Sequence, residues 1–376
     1  MAHRATRHLL IAATTAIAVL AVLATSATAP ARGPAPAVPK TFYGIVPQTP
    51  LLDADIDRMG QGQIGTLRIL MNWASVDRTA AADDNDWSQI DLAVAAAARN
   101  GIQVVPFVFG TPPWVAQGLD NRSCSVERCV LLAPTQAAAL AEWKRFLGEA
   151  VARYGPNGTF FADHPELPAT PIVTWQLWNE MNSKSFYLPK PNVNAYAALV
   201  TTGAEAIRAV DPAAKILLGG MYGYPGGVKK PKLFAWNFLR KLYAIPGFAN
   251  QFDGVAVHPY AARMSKVTRQ TKLMRKEITR AGDNAEMWIT EVGWSSATGK
   301  NPLQRGKKGQ ARRLREAMRY FLAKRTAFNI AGVTWFAWRD LAGPPICDWC
   351  GNAGLFDVAL TPKRAWNTLM TFTGGS

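Results

Sequence analysis

Two stretches place a glutamate directly behind an apolar run: Val173-Thr-Trp-Gln-Leu-Trp-Asn-Glu180, and Met287-Trp-Ile-Thr-Glu291 continuing Val-Gly-Trp294. Runs that apolar belong inside a fold, where an unpaired carboxylate is costly and responds by shifting its pKa. Two carboxyls that face each other can divide the work, one kept protonated and one ionised. Cleavage of an acetal linkage needs that division: an acid protonates the leaving oxygen while a carboxylate attacks or assists at the carbon. The plainer reading is a pair of salt-bridged core glutamates. Few basic residues share such positions, Arg68 and Arg339 being the main ones, so the catalytic reading is favoured.

Such a pair needs a scaffold that brings distant stretches to one cavity. Short apolar runs recur at 42–48, 66–73, 103–110, 173–180, 215–222, 254–260, 287–294 and 332–339. They are nearly continuous in Val, Ile, Leu and aromatics, as parallel strands buried on both faces should be. Amphipathic stretches lie between them. Residues 87–100 stop at Gly101, and Thr135 can cap a helix whose Leu140, Trp143, Phe146, Leu147, Val151 and Tyr154 form one stripe. Residues 194–210, 265–281, 306–324 and 362–372 continue the alternation. The pattern predicts a single-domain α/β fold, a (β/α)8 TIM barrel over residues 41–376. A doubly wound open sheet usually shows a Gly-rich phosphate turn after an early strand, and the sequence has none. In barrels chemistry gathers at the C-terminal ends of the strands, where both glutamates fall.

The endings Trp178-Asn179-Glu180 and Thr290-Glu291-Val-Gly-Trp294 resemble those of retaining glycoside hydrolases of the large (β/α)8 superfamily, clan A. Within it the chain most resembles the β-xylosidase-like family 39 and its bacterial exopolysaccharide-cleaving relatives, over residues 42–372. The resemblance implies hydrolysis of O-glycosidic bonds with retention, through a covalent glycosyl-enzyme. Glu180 would be the acid/base and Glu291 the nucleophile, with carboxyls about 5–5.5 Å apart. By the same resemblance Asn179 holds a sugar 2-hydroxyl, and Arg68 beside the nucleophile keeps it ionised. In Val255-Ala-Val-His258-Pro-Tyr260, Tyr260 would donate to Glu291 while His258 lines the site; a satisfied core histidine is the plainer account of His258. Trp338, preferred to Trp335 as nearer the mouth, and Trp114 in Gly110-Thr-Pro-Pro-Trp114 are the expected sugar-stacking rings. The chain departs from the pattern at Phe107-Val-Phe-Gly110, where many members carry a histidine. No metal or organic cofactor is implied.

Residues 1–31 read as an export signal: a basic start with Arg4 and Arg7, apolar 9–23, then Ala27-Thr28-Ala29 before Pro30. The apolar run is short for a membrane span, and an uncleaved anchor is the alternative. Residues 32–40 read as a Pro/Ala-rich linker. A monomer that is secreted or associated with the cell wall, without stable membrane insertion, is expected. The cysteines come as Cys124/Cys129 and Cys347/Cys350, and an even count in an exported chain favours disulfides. Two local bridges are the simplest pairing; zinc, or thiol–disulfide exchange at Cys347-Asp-Trp-Cys350, are weaker readings.

The net charge is +16, or +14 without Arg4 and Arg7, with the excess at Lys229, Lys230 and Lys232, in 263–280 and in 305–315. Such a surface suits a carbohydrate partner that is anionic, a wall polymer or acidic polysaccharide. Arg269, Lys272, Lys276 and Arg280 recur at helical spacing, so a solvated helix face is the plainer account there. No aromatic-interleaved basic motif points to nucleic acid. The competing class is a non-catalytic polysaccharide-binding barrel, against which the presence of both glutamates weighs.

Overall fold

Each apolar run becomes a strand because helices cover its outer face and the barrel interior its inner one. The computed structural model describes residues 37–81, 84–119, 125–224, 231–343, 345 and 347–375. The strands are β1 (Tyr43–Val46), β2 (Thr66–Asn72), β3 (Gln103–Phe109), β4 (Thr174–Asn179), β5 (Lys215–Tyr222), β6 (Gly254–His258), β7 (Glu286–Val292) and β8 (Ile330–Phe336). All pair in parallel and in sequence order, and β1 closes the barrel against β8. The closure is the (β/α)8 barrel expected from the alternation.

The outer ring holds α1 (Asp53–Gln61), α2 (Ser88–Arg99), α3 (Ala137–Tyr154), α4 (Val193–Val210), α5 (Ala235–Tyr243), α6 (Met264–Arg280), α7 (Gly306–Lys324) and α8 (Arg364–Thr373). Sequence patterning misses α1 and α5. The first is short and acidic, with Ile56 and Met59 as its buried apolar residues; the second is only nine residues long. Thr135 does not cap α3. Gln136 takes that place in extended conformation without a side-chain bond. On α3, Trp143, Phe146, Leu147, Val151 and Tyr154 are buried, and Trp143 meets Trp178 of β4 at 6.3 Å between rings. On α6, Arg269, Lys272, Lys276 and Arg280 are exposed opposite buried Val267, Met274 and Ile278, a solvated face.

Cys347 and Cys350 are bonded to each other, and Cys129 is also in a disulfide. Cys124, Lys229, Lys230, the leader 1–31 and the linker as far as residue 36 lie outside the described residues. Among the described residues no helix is long and apolar enough to cross a membrane.

Trp338 requires a correction. Its ring is buried, packed at 4.5 Å on Phe356 and edge-on to Trp366 of α8, and its indole N–H donates to Asp55 Oδ1 at 2.8 Å. The chain past β8 turns this ring away from the mouth into the packing under α8, so it offers no platform to a sugar. Asp55 Oδ2 accepts the Leu52 N–H at 3.0 Å, so one carboxylate both caps α1 and ties it to the chain after β8. That bond spans the seam where the barrel closes. Asp55→Ala leaves the indole N–H without a buried partner and is expected to lower unfolding free energy by about 2–3 kcal/mol. Urea denaturation measures this; a variant as stable as the wild type would remove Asp55 from the seam.

Candidate active site

Arg68 enters the barrel from β2 with no exposed surface. Its guanidinium can only donate, and the neighbouring strands supply acceptors. Nε donates to Gln176 Oε1 at 2.7 Å, Nη2 to Asn179 Oδ1 at 2.9 Å and Nη1 to Glu291 Oε1 at 2.7 Å. The Phe107 ring lies 4.0 Å from the guanidinium carbon, a cation–π contact. Tyr260 donates to the other Glu291 oxygen at 2.8 Å. Glu291 thus faces a cation on one oxygen and a hydroxyl donor on the other.

Consecutive strand residues normally point to opposite faces, yet both Asn179 and Glu180 join this cluster. Trp178 and Glu180 take positive φ values of 73° and 43°, left-handed backbone that is rare and costly for such side chains. These two residues break the alternation at the end of β4. On β7 a register irregularity between Ile289 and Val292 does comparable work for Thr290 and Glu291. His258, at the end of β6, occupies space left by Gly220 of β5: a Cβ there would lie 1.9 Å from His258 Nε2.

Glu180 Oε1 lies 2.8 Å from His258 Nδ1, whose Nε2 is 3.0 Å from Thr290 Oγ1. Because Arg68 fixes Gln176 Oε1 as acceptor, Gln176 Nε2 is left to donate, to Leu218 O at 3.2 Å and towards Thr290 Oγ1 at 3.5 Å. With Thr290 then donating to Nε2, the ring proton rests on Nδ1 and is donated to Glu180 Oε1. The remaining oxygen of Glu180 is free to carry a proton. Burial, then the charge of Glu291, pushes Glu180 well above the ordinary glutamate value despite Arg68. Burial and Arg68 push His258 down, keeping it neutral, and burial with Glu291 raises Tyr260.

Single oxygens of Glu180 and Glu291 and a nitrogen of His258 lie within 4.8 Å of one another. Three such groups could in principle ligate a metal. Here Arg68 already supplies positive charge to Glu291, and both ring nitrogens of His258 are engaged, so the donor set fits a metal poorly. The two carboxyl side chains keep 10% and 12% exposure, enough to meet a ligand from the mouth.

Arg68, Asn179, Glu180, His258, Tyr260 and Glu291 therefore form one connected polar cluster at the C-terminal ends of the strands. Trp114 is half-buried, its ring N–H on Asp77 O at 3.1 Å, and Arg339 turns to Pro50 O and Asp55 instead. Sequence reasoning missed Gln176, Thr290 and the aromatic wall. Phe336 and Trp349 stand 6.3 and 5.0 Å from the Tyr260 ring, and Tyr222 stands 6.2 Å away. Phe336 lay in the same stretch as Trp338. Trp349 lies between the bonded cysteines, a bridge that restrains the loop carrying it.

No protein-family model matches the sequence, and comparison with curated proteins finds no match. Solved structures do match. A family 39 glycoside hydrolase from the gut symbiont Bacteroides cellulosilyticus WH2 aligns with a TM-score of 0.61 at 17% identity, over 89% of this chain and 64% of that one. A monomeric beta-xylosidase from Caulobacter crescentus CB15 gives 0.61 at 16% identity, over 89% and 69%. TsXylA, an intracellular xylanase from Thermoanaerobacterium saccharolyticum solved with xylotriose, gives 0.58 at 16%, over 87% and 94%. This chain spans just under two thirds of the Bacteroides enzyme and nearly all of the xylanase. The likeness establishes a shared barrel fold.

The raised Glu180 pKa has a consequence for stability. The folded protein holds that proton more tightly than the unfolded chain does. Its contribution is complete below the ordinary value of 4.5 and is lost as pH rises through the folded value. Glu180→Gln removes this loss, so the variant should gain melting temperature relative to wild type as pH rises above 4.5. A difference that stays flat across a pH series would show that Glu180 is not held protonated.

Proposed function

We propose that the protein is a retaining glycoside hydrolase, with chemistry like that of family 39 enzymes. The observation that carries the reading is the carboxyl pair: oxygens of Glu180 and Glu291 within 4.8 Å, in unequal surroundings. That close approach favours direct attack by one carboxylate, for which carboxyls about 5–5.5 Å apart are usual, over the wider separation of an inverting site, about 6.5–9.5 Å. Glu180 donates its proton to the leaving oxygen as Glu291 attacks the anomeric carbon, and a glycosyl ester forms. Glu180, now a base, takes a proton from the water that releases the sugar. Asn179 Oδ1 is occupied by Arg68, which turns its NH2 into the donor for a sugar hydroxyl. Tyr260 and Arg68 hold Glu291 in line, and Phe336 and Trp349 offer apolar ring surface for a sugar face.

A β-xylosidic linkage is the first to test, since the similar structures include a beta-xylosidase and a xylanase. The charge of +16 favours a glycan with acidic substituents. Export under the direction of residues 1–31, with 32–40 as tether and 41–376 as the working barrel, accords with the leader pattern and the disulfides. Action as a monomer is part of the same reading.

Product analysis by proton NMR should find the first-formed sugar with the substrate's anomeric configuration. Glu291→Ala should abolish turnover with or without azide. Glu180→Ala should lose about 10²–10⁴-fold on poor leaving groups and recover on activated aryl glycosides. Inverted product, or full activity in both variants, would sink the assignment.

A further inference from the structure

A second cluster of positive charge lies on the outer wall between α7 and α8. Each barrel helix runs back from the face at which its strand ends, so both helix N-termini lie towards the same face as the carboxyl pair. A cavity of about 320 Å³ opens there, lined by Ser296 and Ala297 after β7, by Lys307 and Arg364 at the helix starts, and by Lys363 with Asp340. A second, of about 300 Å³, continues along the wall between Lys308, Arg312 and Arg315 of α7 and Arg364 and Asn367 of α8. The acids in this track are Asp340, paired with Lys363 at 2.5 Å, and Asp357, which accepts the Thr361 N–H at 2.8 Å.

Helix stability does not explain the cluster. Stabilising neighbours at three- or four-residue spacing carry opposite charge, as Arg313 and Glu316 do at 2.6 Å. Lys308, Arg312 and Arg315 have that spacing and one sign. The first turns of α7 and α8 contain no acid, and cations there oppose the helix dipole. Among the described residues, Lys307, Lys308, Arg312, Arg315 and Arg364 enter no ion pair. The arrangement therefore opposes folding unless an anion lies along it.

We propose that this track binds a polyanionic glycan, a polysaccharide bearing carboxylate groups, and holds it at the rim of the mouth. The choice of a glycan rests on the glycosidase reading and on the lining itself: neither cavity has an aromatic side chain on which a base could stack. The track would anchor a charged strand while the carboxyl pair acts on a neighbouring segment.

The test is affinity electrophoresis of the full chain through gels containing alginate, neutral xylan or double-stranded DNA, at low and raised salt. Wild type should be retarded by alginate, less so as salt rises, and not by xylan through this track. Lys308→Glu/Arg312→Glu/Arg315→Glu should bind alginate about tenfold more weakly, from three exposed charge reversals worth a few-fold each. Its melting temperature should be no lower than the wild type's, since all three residues are exposed and the reversals relieve the like-charge repulsion with Lys307 and Arg364. Glu291→Gln should bind alginate like wild type. The two readings fail separately: a wild type that hydrolyses no glycan but is still retarded by alginate would sink the glycosidase and leave track binding intact. The proposal is overturned if alginate does not retard the wild type, if the triple variant is retarded equally, or if DNA shows the same track-dependent retardation.

Discussion

A fully buried guanidinium organises this barrel. Removing a cation from water costs several kcal/mol, offset only when its donors find well-placed acceptors. Arg68 meets that demand with acceptors from β4 and β7 and a ring from β3. Four strands must therefore hold their register for one side chain to be tolerable. The same charge makes the two glutamates unequal. Glu291 takes the guanidinium and the Tyr260 hydroxyl, while Glu180 receives a neutral histidine and the repulsion of Glu291. Two nearby carboxyls in a poorly solvated site cannot both ionise cheaply, and the position of Arg68 decides which one keeps the proton.

Backbone irregularity delivers these groups. A regular β4 would send Asn179 and Glu180 to opposite faces, and the left-handed residues at its end bring both to the mouth. Gly220 gives His258 its space, and the polar chain from Arg68 through Gln176 and Thr290 sets which histidine nitrogen carries the proton. Such strain is tolerable because the surrounding barrel over-determines it. Asp55 provides related support farther out, joining the start of α1 to the chain beyond β8.

Much of this was legible before folding is considered. Strands buried on both faces leave unbroken apolar runs, so all eight could be found, and α3, α4, α6 and α7 showed their stripes. The short helices α1 and α5 were missed. The first buries only Ile56 and Met59 among its apolar residues. The second buries Ala235, Trp236, Phe238, Leu239 and Leu242 but spans too few turns for its period to stand out. Trp338 and Phe336 mark another boundary. Both are aromatic, both follow an apolar run, and nothing local distinguishes a ring packed under α8 from one beside Tyr260.

The amino-acid order alone determined the strand and helix alternation, and with it the delivery of two carboxyls to strand ends on one face. It did so because periodicity and burial are local properties that each segment carries with it. Tertiary structure decided which glutamate is surrounded so as to hold a proton, which rings lie beside Tyr260, and where cations without an ion-pair partner gather between α7 and α8. Those outcomes depend on partners from distant strands and on small breaks in alternation, and neither is written in any one segment.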